Sequence, residues 1–154
     1  WEADFMLFAR YGQGLLVLHE RQTRFSIVLH PLDRKAVLTA RTIARQLGKL
    51  PQALRKTISF DNGTEFAEHH RLHNALGVQT FFCDPHSPWQ KGGVENSIGR
   101  LRRSLPRKTD LKAITAAALK RLAQRLNDTP RKCLDFNTPA EAFSKLKSIV
   151  ALQT

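Results

Sequence analysis

Three short apolar stretches fill the first 29 residues, and the turns between them leave room only for hairpins. Ala3 to Phe8, Leu15 to Leu18 and Phe25 to Leu29 are separated by Tyr11-Gly12-Gln13-Gly14 and by the polar run Glu20 to Thr23. A parallel crossover needs a dozen or more residues, so these stretches predict an antiparallel meander. The period then changes. Val37, Ala40, Ala44 and Leu47 share a face of a helix that Asp33 can cap and Gly48 can end. Thr57 to Phe60 reads as a fourth strand, ending at Asp61-Asn62-Gly63. A helix from Glu65 to Leu76, closed by Gly77, leads to a fifth strand from Val78 to Phe82. Residues 84–93 hold two Pro and two Gly and read as a loop. Val94, Ile98, Leu101 and Leu105 mark the next helix, stopped by Pro106. Asp110 can cap a helix running to about Leu126, with Ile114, Ala118 and Leu122 on one side. Thr138 and Pro139 open a last short one. This order predicts one α/β domain over residues 1–154. It has a mixed five-stranded sheet, three strands antiparallel and the rest parallel, with helices on both faces.

Composition narrows the partner. A length of 154 residues suits one domain with a sizeable core. No apolar run is long enough for a membrane span, and no signal peptide opens the chain, so a cytoplasmic protein is expected. Cys83 and Cys133 are too few for a disulfide framework or a four-thiolate zinc site and read as reduced thiols packed in the core. The formal net charge is +12, and the half after residue 77 carries twice the excess of the half before it. Such a charge on a folded domain points to a polyanion. It does not by itself separate an enzyme acting on nucleic acid from a ribosomal or architectural protein. The densest basic run is Arg100, Arg102, Arg103, Arg107 and Lys108.

Three acids stand where this topology can bring them together. Asp4 lies inside the first strand between apolar neighbours, where an unpaired carboxylate is costly. Asp61 ends the fourth strand, which follows a crossover helix and can lie parallel beside the first. Adjacent strands are about 4.8 Å apart, so the two carboxylates can reach one ion. Glu95 opens the helix after Gly92-Gly93. Carboxylates without His or Cys partners suit hard ions, Mg²⁺ or Mn²⁺, and two such ions serve phosphoryl transfer. Each acid also has a plainer reading: Asp4 as a surface acid on an edge strand sharing its face with Glu2, Asp61 as a turn former, and Glu95 as a favourable first-turn helix acid.

Together these blocks resemble the catalytic core of bacterial insertion-sequence transposases of the DDE class, in the retroviral-integrase superfamily. The resemblance rests on Trp1-Glu2-x-Asp4, on Asp61-Asn62-Gly63-Thr64-Glu65-Phe66 and on His86 to Asn96, with 33 residues between Asp61 and Glu95. The tail from Leu126-Asn127 to Pro139-Ala140-Glu141 resembles the family's end of the core. The resemblance covers nearly the whole chain. It implies a ribonuclease-H-like fold, with Asp4, Asp61 and Glu95 as a catalytic triad binding Mg²⁺ or Mn²⁺, two ions in all. It implies DNA strand cleavage and strand transfer at transposon ends, by a homodimer or larger assembly at the bacterial nucleoid. It also implies a helix-turn-helix end-binding region preceding this core. The alternatives are a nuclease on the same fold, which hydrolyses without joining, and a non-catalytic nucleic-acid-binding domain.

Residues around the triad take expected roles from this reading. Residues 86–93 would form a mobile loop hinged at Gly92 and Gly93. Gln90 and Lys91 would meet phosphates or flanking bases, and Arg100, Arg103, Arg107 and Lys108 would bind DNA. Asn62 and Asn96 would orient the neighbouring acids. Trp89 can stack on a base or anchor the loop, and His86 can contact DNA or bond within the loop. Arg102 projects differently and can pair internally. His69 and His73, at i and i+4 with His70 between them, have spacing compatible with zinc but no third ligand of zinc type nearby, and are read as a solvated helix face.

Overall fold

The computed structural model describes residues 1–9, 12–84 and 87–152. Strands β1 (Glu2–Leu7), β2 (Gly14–His19), β3 (Ser26–Leu29), β4 (Thr57–Phe60) and β5 (Gln79–Phe82) form one sheet in the order β3-β2-β1-β4-β5. The β1–β2 and β2–β3 pairs are antiparallel, and the β1–β4 and β4–β5 pairs are parallel. Asp4 pairs across to Val17 of β2, and Glu2 of β1 registers with Ser59 of β4. The meander, the crossover and the placing of the Asp61 strand beside the Asp4 strand therefore match the expected topology. β1 is a central strand, which removes the reading of Asp4 as an edge-strand acid.

Alternation along the strands divides the core in two. Ala3 and Phe5 of β1 and Leu16 and Leu18 of β2 pack with helix α1 (Ala36–Leu47), α2 (His70–Leu76) and Phe143 of α5 (Pro139–Ala151). Met6, Leu15 and Val17 pack on the other face with α3 (Gly92–Leu101) and α4 (Ala116–Asn127). Asp4, between Ala3 and Phe5, thus points toward the α3–α4 face. Among the described residues no helix is long and apolar enough to cross a membrane.

Several helix boundaries differ from expectation. Asp33 does not cap α1; its Oδ1 accepts the Lys35 N–H at 2.8 Å, and α1 starts at Ala36 with no side-chain cap. The segment expected as one helix from Glu65 is a 3₁₀ turn, Thr64–Phe66, followed by α2. Phe66 and Leu72 are both in the core. Six residues of α-helix would set them about 120° apart, so the chain bends to bury both. The helix expected from Asp110 is also broken. Asp110 caps only the 3₁₀ turn Leu111–Ala113, and Thr115 caps α4 through the Ala118 N–H at 3.1 Å. α4 turns Leu119 and Leu126 inward, with Ile114 and Leu122 partly covered. α5 starts as expected: Thr138 and Glu141 form a reciprocal capping box with Pro139 in the first turn, and the helix runs 13 residues. The cysteines do not both pack in the core. Cys83 is half-buried and Cys133 is exposed, because Cys133 falls in a surface 3₁₀ turn, Lys132–Leu134.

Candidate active site

Asp4 and Asp61 meet over a single cation, the Lys91 ammonium. Lys91 Nζ donates to Asp4 Oδ2 at 2.9 Å and to Asp61 Oδ2 at 3.0 Å. Lys91 is only 6% exposed, unusual for a lysine and explained by its two carboxylate partners. It ends the 3₁₀ turn Pro88–Lys91, directly before α3. Burial raises the Asp4 carboxyl above its ordinary range, and the Asp61 charge adds to this; hydrogen bonds from Lys91 and the Phe5 N–H offset only part. Burial works against the Lys91 charge, but bonds to and attraction by Asp4 and Asp61 outweigh it and hold the ammonium above its usual value. The donor set fits a hard cation: two converging carboxylate oxygens, no nitrogen or sulfur ligand among the described residues, and a positive group already seated between them.

Glu95 lies apart from this pair. It is exposed in the first turn of α3, and among the described residues no three His, Cys, Asp or Glu side chains cluster as a metal site. Gly92 and Gly93 belong to the same first turn, Gly92 with ordinary right-handed helical angles. Gly93 matters through contact. A Cβ there would stand 2.7 Å from His19 Cδ2 and 2.8 Å from Glu2 Oε2. Gln90 is engaged with Asp84: its Oε1 accepts the Asp84 N–H at 2.8 Å and its Nε2 donates to Asp84 Oδ2 at 2.9 Å. Asn62 Nδ2 donates to the Cys83 carbonyl at 3.1 Å, tying together the chain beyond β4 and β5. Asn96 Oδ1 accepts from Arg100 Nε at 2.9 Å. Trp89 is 75% exposed, so it is no packed anchor. His86 lies outside the described residues. His69 is structural rather than solvated: its Nδ1 is 2.8 Å from Thr80 Oγ1 and its ring meets Phe82 edge-on.

Three features escaped sequence reasoning. Glu2 is buried and anchors α3: its Oε2 accepts the Val94 N–H at 2.7 Å, and its Oε1 pairs with Arg21 at 3.2 Å. An acid near a helix N-terminus is favourable there. The sequence signal for this burial is its place at the start of an otherwise largely apolar strand. His19 is the second. Its Nδ1 lies 3.0 Å from Ser26 Oγ and 2.9 Å from Ser97 Oγ, joining β2, β3 and α3. The third is a basic cavity of about 280 Å³ reaching from Gly92, Gly93 and Asn96 to Arg24, Arg100 and Arg131. Arg131 is buried and donates to the Leu126 carbonyl at 2.7 Å, yet no carboxylate pairs with it among the described residues. Burial, then the like charge of Arg100, lowers its guanidinium pKa. Arg103 shares a neighbouring cleft with Arg100, Arg125 and Arg131. Arg107 and Lys108 are exposed beyond α3. Arg102 turns inward, as expected, donating to the Leu7 carbonyl with its guanidinium over the Phe8 ring at 4.9 Å.

No protein-family model matches the chain. Curated relatives are informative. The chain is 37% identical over 146 residues to a transposase for insertion sequence element IS1086 of Cupriavidus metallidurans, covering 95% of the chain and 43% of the relative. It is 35% identical over 145 residues to the transposase InsI for element IS30C of Escherichia coli, covering 94% and 38%. The chain thus spans less than half the length of these relatives. Among solved structures, the catalytic core domain of BIV integrase superposes with a TM-score of 0.72 at 20% identity, covering 98% of the chain and 97% of that core. The simian T-cell lymphotropic virus intasome, in complex with the PP2A regulatory subunit B56 gamma, superposes with a TM-score of 0.74 at 17% identity, covering 92% and 52%. The sheet and helices are those of the ribonuclease-H-like integrase core.

Proposed function

We propose, for a chain homologous over nearly its whole length to insertion-sequence transposases, that it is the catalytic core of a DNA transposase. The reaction is polynucleotidyl transfer: a 3′-hydroxyl is freed at a transposon end and then attacks a target phosphodiester. The observation that carries this reading is the convergence of Asp4 and Asp61 on one cation. Asp4, Asp61 and Glu95 are the residues to hold Mg²⁺ or Mn²⁺, with Glu95 brought in from the first turn of α3. Bound ions would supply Lewis-acid activation of the attacking oxygen and charge neutralisation at the leaving oxygen.

The chain's own residues prepare the site. β1 and β4 set two carboxylates side by side, and Glu2 and His19 hold the start of α3 against the sheet. Arg24, Arg100, Arg103 and Arg131 line two neighbouring clefts that would take a DNA backbone, and Arg107, Lys108, Gln90 and Lys91 are further candidates to contact it. Two or more copies act together on two DNA ends, in the cytoplasm at the nucleoid.

The test is strand joining by the complete protein on duplexes from its own element's termini. Asp4→Asn, Asp61→Asn and Glu95→Gln should each lower joining by about a thousandfold or more, the scale of losing several kcal/mol of transition-state charge stabilisation. DNA binding should persist. Joining retained by any of the three removes that acid from the triad. Hydrolysis without joining by the unaltered protein makes it a nuclease instead.

A further inference from the structure

Lys91 occupies the position a metal ion would need. Its ammonium bonds both carboxylates at 2.9 and 3.0 Å, and the side chain is almost wholly buried. An ammonium and a divalent ion cannot both sit on the same two oxygens. The charge count favours exchange: two carboxylates and one ammonium leave a net negative site, whereas a divalent ion neutralises it. Lys91 is also covalently tied to the rest of the site. It ends the turn Pro88–Lys91 and lies four residues before the exposed Glu95, at the head of α3. Displacing the ammonium removes the two bonds that hold this turn to Asp4 and Asp61.

We propose that Lys91 is a built-in counter-cation that competes with the divalent ion for Asp4 and Asp61, so that metal binding and release of the 87–91 segment are one event. The proposal rests on the metal reading above. Without metal, Lys91 keeps the two acids paired and the site closed. With metal, the ammonium is freed beside the DNA path, where a phosphate is its natural partner. If the ammonium holds the pair nine-tenths of the time, it weakens apparent metal affinity about tenfold.

Two measurements on the 154-residue chain test this. The first is Mn²⁺ affinity, from free-ion electron paramagnetic resonance. Lys91→Gln should bind Mn²⁺ about tenfold more tightly than the unaltered chain, whereas Lys147→Gln, an exposed lysine on α5, should not differ. The second is amide hydrogen exchange with Mg²⁺. Saturating metal should speed exchange over residues 87–91 in the unaltered chain, which a mere long-range charge effect would not do. Equal or weaker Mn²⁺ binding by a folded Lys91→Gln variant overturns the proposal, as does metal binding with no change in exchange. If Lys91→Gln fails to fold, the exchange result alone decides. Mn²⁺ binding that is equal in both proteins but lost in Asp61→Asn sinks the competition and spares the metal site. No binding in any of them sinks both.

Discussion

A neutral imidazole sits where the sheet meets α3. His19 is 2% exposed, and burial, reinforced by the nearby Arg24 charge, pushes its pKa from 6.5 to about 4. Its Nε2 lies against Gly93 and has no hydrogen-bond partner among the described residues. Protonation would place an unpaired charge in this junction. Between pH 6.5 and about 4 the unfolded chain binds the proton and the folded chain does not. His19 therefore leaves stability unchanged above that window and removes it as pH falls through it, by about 2 kcal/mol between pH 7.5 and 5. Denaturant unfolding at the two pH values checks this. His19→Gln should lose that share of the pH dependence, and an unchanged slope would place the titration elsewhere. The same junction explains Gly93 better than hinge freedom does. The residue is small because the His19 ring and the Glu2 carboxylate press on it. Sequence reading found the glycine but not its reason, since the contacts come from β1 and β2, more than 70 positions away.

At the scale of elements, α3 and α4 convert a basic sequence run into a shaped surface. Arg100 and Arg103 face the clefts beside α4, while Arg102, between them in sequence, turns back to Leu7 and Phe8. Replacing Arg100 and Arg103 with Gln should weaken binding to DNA of any sequence and reduce the slope of log affinity against log salt by about two. Binding measured over a salt series would show it, and an unchanged slope would move the DNA path off this face. The α3 face was legible because Val94, Ile98 and Leu101 recur with helical period against the core, whereas Leu105, expected on the same helix, is buried from beyond its end at Leu101. Helix starts were less so. Asp33 and Asp110 have the chemistry of caps, but each closes a local turn, and the α-helix begins three residues on from Asp33 and six on from Asp110. Arg131 and Arg24 were invisible as partners of Arg100, because the three come from separate segments that only the folded chain brings together.

For the whole molecule, topology was legible and assembly of the site was legible only in part. The short links of the first 29 residues force the meander, and the crossover sets β4 beside β1, which brings Asp61 to Asp4. Glu95 stays exposed on α3, just after a short turn whose last residue, Lys91, pairs with both aspartates, and no spacing rule reveals those salt bridges. The +12 charge gains meaning from this arrangement. Arginines collect on the α3–α4 side, and within that field two acids are held ready around a cation. The most direct measurement is the position of Mn²⁺ by anomalous scattering in crystals of the chain bound to DNA. The ion should lie between the Asp4 and Asp61 carboxylates, with Glu95 joining them and Lys91 displaced. Manganese bound elsewhere, or Lys91 still bridging the two aspartates beside a DNA phosphate, would contradict the metal-dependent transposase core.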